Sequence, residues 1–313
     1  MARETINITS EAQWLDLRRE DITSTMVPAL FGLSPYTTLF ELYHAKASGI
    51  EVPFKSNERV EKGKRMEAAI AHEAALQEGW TDLKPLDDYI RIPGRRAGSS
   101  FDFEAIDADG NPLLVEIKMV DFFRHRDLWV DDQAPEHIEI QGQWQLEVAD
   151  RFPRVAIVAW AGTYDCNVYY RDRDRDMGSA MMTATDAFWA DVDAGREPEP
   201  DFARDEDVIA RMNRQLRDQP SDLTADQDFD LLLARYEREK QQASEFDALA
   251  KATKAEIHYR LADAPAAFTA RYKITAGWTK DTPPRPAEPG YIIPGRAGYR
   301  QCLVKNLMEG KKK

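Results

Sequence analysis

Residues 99–118 read SSFDFEAIDADGNPLLVEIK, and the fold turns on how this stretch pairs with itself. In a β-strand, residues two apart share a face. Glu116 and Lys118 therefore project together, with Val115 and Ile117 on the opposite face. SSFDFEAI reads as a second strand, and Asp109-Gly110 between the two is a hairpin signal. A loop centred on Asp109 sets Asp102 across from Glu116. Two carboxylates and an ammonium then converge on one patch of sheet, an oxygen-donor arrangement that suits hard divalent cations and Mg²⁺-dependent phosphodiester hydrolysis. A Glu-x-Lys pair in a strand is more often a solvated face. Here it sits inside the apolar run LLVEIKMV, where burial without partners or a metal is costly.

The 313 residues suffice for one large domain with an appendage, or for two domains, and the 43% apolar content supports a real core. No apolar run approaches membrane-spanning length, and the start, MARETINITSEAQW, lacks a basic and then apolar leader pattern, so neither a transmembrane helix nor a secretory signal is expected. The two cysteines, Cys166 and Cys302, exclude a metal centre held by four thiolates and fit a reducing cytoplasm. A net charge of −13 from 42 basic and 55 acidic residues argues at first against nucleic acid. The acid is concentrated at 199–230, however, whereas bases cluster in KGKR (62–65), RIPGRR (91–96) and the terminal KKK. A basic channel within an acidic exterior is consistent with that pattern.

Helices are expected over 11–20, 26–33, 34–49, about 57–78, 136–149 and 179–195, with a loop-rich segment at 122–135 and a second hairpin from RVAIVAWAG and YDCNVYYRD. This order gives an α+β fold, or an α/β core around a mixed sheet. Three regions are expected: 1–197 as the core, 198–228 as an acidic linker with one short helix at 204–217, and 229–313 as an extension. In the extension a long helix over 229–262 is read as packing on its own chain, because Glu239 and Thr253 interrupt its apolar stripe. Two strands follow, RYKITAGWTK and GYRQCLVKN, separated by the proline-rich loop DTPPRPAEPG. On the 57–78 helix, Glu67 shares a face with Ile70, Ala71 and Ala74, which makes it a candidate third carboxylate. Gly63, one turn earlier, would permit a close approach.

Four motifs stand in order along the first half: WLDLRREDITST, GKRME, SFD with EIK, and QGQ at 141–143. Together they resemble the W-x-x-L-R/I-T-x-S, G-K-x-x-E, S-P-D/E-x-K and Q-x-Q motifs of the phage lambda-type exonucleases and YqaJ-like viral recombinases, within the PD-(D/E)xK nuclease superfamily. The resemblance covers about the first 200 residues. It implies a restriction-endonuclease-like core with a central mixed β-sheet flanked by helices. It further implies that Glu67, Asp102, Glu116 and the carbonyl of Ile117 hold Mg²⁺, two ions with Mn²⁺ as a substitute. Lys118 would then orient or help deprotonate the attacking water. Gln143 would position substrate or water, with Gln141 supporting the same helix face. Arg18, Thr25 and Ser100 would form a pocket for a 5′ phosphate, with Arg19 as the competitor of Arg18. A guanidinium suits that task because it donates paired hydrogen bonds to phosphate oxygens.

The activity so implied is 5′→3′ degradation of one strand of linear double-stranded DNA to 5′ mononucleotides, leaving 3′ overhangs for a single-strand annealing protein. A homotrimer and a place in a bacterial host's cytoplasm, as a phage or prophage protein, go with it. Phe101 replaces the family's proline, Thr25 its serine, and the loop between Asp102 and Glu116 is longer than in the lambda enzyme. A structure-specific or restriction-type endonuclease of the same superfamily and a non-catalytic DNA-end-binding module are the alternatives.

Overall fold

The strands Phe103–Ile106 (β5) and Pro112–Val120 (β6) pair antiparallel, with Phe103 opposite Val115 and Ile106 opposite Pro112. Every pair is centred on Asp109, and one step further the register sets Asp102 opposite Glu116. The computed structural model describes residues 2–50, 58–162, 165–213, 221–281, 283–288, 291–293, 299–300 and 303–306. The chain divides into two compact units, 1–216 and 217–313.

The first unit begins with β1 (Glu4–Asn7), α1 (Glu11–Glu20), α2 (Val27–Leu30), α3 (Leu39–Ala47) and α4 (Glu58–Glu78). Strands β2 (Thr81–Pro85), β3 (Asp88–Ile92) and β4 (Ala97–Ser99) lead into β5 and β6. Then come α5 (Phe122–Leu128), α6 (Glu136–Ala149), β7 (Arg154–Ala161), β8 (Asp165–Asp172), α7 (Arg175–Asp193) and α8 (Glu206–Met212). The central sheet has the order β2-β5-β6-β7-β8, and only the β6–β7 pair is parallel. It is thus a mixed sheet flanked by helices.

Both faces of β6 are covered, which explains its almost unbroken apolar reading. Leu113, Val115 and Ile117 pack with Ile70, Ala71 and Ala74 of α4. On the other face, Leu114 joins Val155, Ile157 and Ala159 against residues of α6 such as Trp144. Gly142 lets α6 lie close to β7, since a Cβ there would stand 3.1 Å from Val155 Cγ1. No helix of the described residues is long and apolar enough to cross a membrane.

Several expectations are corrected. The strand expected over 99–106 is broken, with β4 ending at Ser99 and β5 starting at Phe103, because the Asp102 side chain takes the Ile117 N–H at 2.8 Å. The two parts join different sheets, β4 entering the small sheet β1-β3-β4. The loop-rich 122–135 segment contains α5, capped by Asp121 Oδ1, which accepts from Phe123 N at 3.0 Å. The linker expected over 198–228 is not one throughout. Asp205 is fully buried and accepts from Thr38 Oγ1 and Asp201 N, while Arg204 donates to the Ser34 carbonyl and Val208 is buried. These residues pack in the first unit because their acid is a buried acceptor, not solvated charge. Residues 214–217 of the expected short helix lie outside the described residues.

The second unit starts with α9 (Gln227–Leu261). No residue of α9 is buried among the described residues, contrary to the expected packing on its own chain; i,i+4 pairs such as Arg235–Glu239 lace its surface. Among the described residues, short strands follow: β9 (Ala266–Phe268), β10 (Tyr272–Thr275), β11 (Trp278–Thr279), β12 (Arg285–Glu288), β13 (Tyr291–Ile293), β14 (Tyr299–Arg300) and β15 (Leu303–Asn306). The two expected strands do pair, as β10 with β15 and β11 with β14, and the loop between them carries the β12–β13 pair. Cys302 and the lysines of the terminal KKK lie outside the described residues.

Gly98 fixes the join between the small sheet and the site. A Cβ on it would stand 2.3 Å from the hydroxyl of Tyr89, which is fully buried and donates to Asp21 Oδ2 at 3.1 Å. Gly98→Ala is expected to lower stability by about 1–3 kcal/mol through overpacking, read as a lower urea midpoint, and Tyr89→Phe in the same chain is expected to recover part of the loss. An unchanged midpoint in Gly98→Ala contradicts this packing.

Candidate active site

Glu116 is the centre of the site. Its side chain leaves β6 toward α6, and the residue is 3% exposed. A carboxylate so buried needs donors. Lys118 Nζ donates to Oε1 at 2.5 Å, Gln141 Nε2 to the same oxygen at 2.6 Å, and Gln145 Nε2 to Oε2 at 2.7 Å. Lys118 also donates to Gln141 Oε1 at 3.1 Å. Burial by itself would lower the Lys118 pKa, but the charges of Glu116 and Asp102 outweigh that and hold it above its ordinary value. Lys118 is therefore an ammonium that donates and neutralises.

Asp102 is pushed well above the usual carboxylate range by burial first and by the charge of Glu116 second. Glu67 on α4 is likewise raised by burial and then by Glu116. Three carboxylates thus lie in one another's fields, offset by Lys118 and, at Glu67, also by Lys64. By charge and by donor type they fit a hard divalent cation. Among the described residues no group of three or more His, Cys, Asp or Glu is drawn together closely enough to hold a metal ion as it stands. Ile117 is tied to the site through its N–H, which Asp102 accepts. A Cβ on Gly63 would meet nothing within 4 Å among the described residues, so the space beside it is open. Gly63 borders a cavity of about 980 Å³ that also reaches Lys118, Tyr36, Trp129 and His137.

The second cluster is built on α1. Trp14 and Arg18, one turn apart, share a face; the Arg18 guanidinium lies 4.6 Å from the Trp14 ring centroid and donates to Thr25 Oγ1 at 3.1 Å. The Trp14 indole N–H donates to Ser100 Oγ at 2.8 Å. Lys46 fastens the end of α1 by donating to the carbonyls of Arg18 and Asp21. Ile22 bridges to Ala97, which sets that end beside the Ser99–Ser100 backbone. Arg18, Thr25 and Ser100 are therefore brought together, with Trp14 linking them. Arg19 instead pairs with Asp16 Oδ1 at 2.9 Å.

Gln143 is the expected site residue that the structure places elsewhere. Its Nε2 donates to the Asp172 carbonyl at 2.8 Å and its Oε1 accepts from Asp174 N at 2.9 Å. It anchors the β8–α7 connection. At 3.6 residues per turn, Gln141 and Gln145 share a face and Gln143 points away. Gln145 is the residue missed, and its signal was the i,i+4 spacing from Gln141 in QGQWQ. Gln143→Met is expected to leave two backbone groups without their partner and to lower stability by about 1–3 kcal/mol, or roughly 2–4 °C in Tm per kcal/mol. An unaltered thermal melt contradicts that structural role.

Residues 13–151 match the family described as YqaJ-like viral recombinase domain. "Uncharacterized protein YqaJ" of Bacillus subtilis (strain 168) is 25% identical over 272 residues, which span 84% of this chain and 82% of that protein. Of solved structures, an alkaline exonuclease (LHK-Exo) from Laribacter hongkongensis is similar with a TM-score of 0.48 at 18% identity, over 59% of this chain and 93% of that one. LHK-Exo in complex with dAMP gives 0.46 at 17% identity, over 66% of this chain and 100% of that one. The matched span contains every residue of both clusters, from Trp14 to Gln145, and this part of the chain is similar to a YqaJ-like viral recombinase domain.

Proposed function

We propose that this protein is a Mg²⁺-dependent 5′→3′ exonuclease that degrades one strand of linear double-stranded DNA to 5′ mononucleotides and leaves 3′ overhangs. The observation that carries the reading is the meeting of Lys118 with the buried carboxylates of Glu116 and Asp102, and of Glu67 within the field of Glu116. Glu67, Asp102, Glu116 and the carbonyl of Ile117 would hold Mg²⁺, with Mn²⁺ able to replace it. When bound, the metal supplies Lewis acidity at the phosphorus and lowers the pKa of a water molecule.

Lys118, kept charged, orients the attacking water and neutralises charge that builds on the phosphate oxygens. Gln141 holds Lys118 and Glu116 in their relative positions through its two hydrogen bonds. Arg18, Thr25 and Ser100 offer a guanidinium and two hydroxyls to a terminal 5′ phosphate. Only a strand end fills such a pocket, which supports the direction of digestion. The reading brings with it a homotrimer around DNA and a single-strand annealing protein that takes the 3′ tail.

The test is digestion with Mg²⁺ of linear duplex labelled separately at its 5′ and 3′ ends, beside closed circular DNA. Early release of 5′-labelled mononucleotides with the circle intact is expected. Cutting of the circle replaces this reading with an endonuclease, and no cutting of either substrate replaces it with an end-binding module. Lys118→Ala is expected to abolish cleavage while duplex binding persists, so turnover in that variant removes the role given to Lys118. Arg18→Ala is expected to slow digestion of 5′-phosphorylated ends by about 10–100-fold, the size of a lost charge-assisted contact. An equal loss on 5′-hydroxyl ends contradicts the pocket.

A further inference from the structure

We infer that Gln145 is a positioning residue that couples the 5′-phosphate pocket to the metal-binding carboxylates; the inference rests on the exonuclease reading. Gln145 is 2% exposed. Its Nε2 donates both to Glu116 Oε2, at 2.7 Å, and to the carbonyl of Ser100, at 3.3 Å. Ser100 in turn accepts the indole N–H of Trp14 on its hydroxyl at 2.8 Å, and Trp14 carries the Arg18 guanidinium on its ring. One amide group thus stands between Arg18, Trp14 and Ser100 on one side and Glu116 with Lys118 on the other.

The orientation of that amide is dictated by its surroundings. Glu116 and the Ser100 carbonyl both present acceptors, so the NH₂ end must face them and spends both of its hydrogens there. A flip would set the amide oxygen against a carboxylate and a carbonyl. In the orientation observed, Gln145 Oε1 is buried with no hydrogen-bond partner among the described residues. A buried acceptor left in that way costs free energy, and the residue bears this cost to keep both donors on the link. A phosphate that engages Arg18 and the Ser100 hydroxyl shifts the Ser100 backbone. Gln145 transmits that shift to the Glu116 carboxylate. Occupied ends are then the ends at which the metal site is best aligned, a reciprocal linkage between two ligands.

The test measures Ca²⁺ affinity by titration calorimetry, with Ca²⁺ in place of Mg²⁺ so that the duplex stays uncut. It compares duplex bearing 5′-phosphate ends with duplex bearing 5′-hydroxyl ends, in the wild type and in Gln145→Met. Met keeps the length and volume of Gln but removes the donor. The wild type is expected to bind Ca²⁺ at least about fivefold more tightly with the phosphorylated duplex, the lower end of ordinary site coupling. In Gln145→Met the ratio is expected to fall to about one. Gln145→Asn, whose amide is too short to span both acceptors, gives the same expectation if the Met variant does not fold. A ratio of one in the wild type, or the wild-type ratio kept in the variants, overturns the inference. Digestion of the same phosphorylated duplex by the wild type with Mg²⁺ keeps the two readings apart. Cleavage with a Ca²⁺ ratio of one removes the coupling alone, whereas no cleavage removes the exonuclease reading.

Discussion

A carboxylate in the middle of a covered sheet cannot stand without donors, and Glu116 imposes that demand on its surroundings. Its strand has apolar neighbours on both sides and helices over both faces. The charge is almost wholly buried, so the protein supplies an ammonium from two residues along the same strand and two carboxamides from the facing helix. That helix must lie close enough for both amides to reach. Gly142, between them in sequence, is where α6 approaches Val155 and Ile157 of β7. The lysine offsets one negative charge, while Asp102 and Glu67 remain raised in the field of Glu116. Ionising these carboxyls together at one buried point is costly, a cost that a bound divalent cation would offset, and this supports the proposed chemistry.

The break in the chain between β4 and β5 serves the same centre. A continuous strand would spend the Ile117 N–H on a backbone carbonyl. The chain instead leaves the ladder at residues 100–102, and a side-chain oxygen of Asp102 takes that N–H. The detour exposes the Ser100 carbonyl to Gln145 and its hydroxyl to Trp14. Two clusters built on different elements, α1 and the sheet, thus share three consecutive residues. The small sheet holds this detour steady: Ala97–Ser99 pair with Ile90–Ile92, and the Gly98 carbonyl accepts the Trp144 indole N–H from α6.

What the sequence made legible follows from the range over which each signal acts. The hairpin around Asp109-Gly110 is local, and its turn residues and alternation together specify a register that puts Asp102 level with Glu116. The α4 stripe of Ile70, Ala71 and Ala74 is also local, and it placed Glu67 on the face that turns toward the sheet. Gln143 went astray because a Q-x-Q pattern names two residues that a helix separates by about 200°, whereas the face is chosen by what α6 packs on. The acidic segment after Pro198 could not be read because whether an aspartate is solvated or is the buried partner of Thr38 depends on a contact 167 residues away in sequence. Strands β1, β3 and β4 are each five residues or fewer and, among the described residues, pair only with one another and, at one bridge, with Ile22. Short strands of that kind carry little periodicity to detect.

The basic clusters show why charge runs are poor guides to a binding face. RIPGRR reads as a candidate wall of a nucleic-acid channel, yet each of its arginines meets an acid of the same unit. Arg91 is bound to the buried Asp21 and to Glu20, Arg95 lies 3.5 Å from Asp186, and Arg96 pairs with Asp193 while lying over the Trp189 ring. In KGKR, Lys62 pairs with Glu58, one turn earlier on α4. The three arginines of RIPGRR fasten the end of α1, the small sheet and α7 to one another. With a net charge of −13, a broad attraction to the phosphate backbone has little to draw on. The cations that count for the proposed chemistry are Lys118, set against carboxylates, and Arg18, set against an aromatic ring and a hydroxyl. Both are placed by specific contacts at the site itself, so on this reading discrimination comes from the terminal phosphate and the metal-binding carboxylates more than from the length of duplex covered.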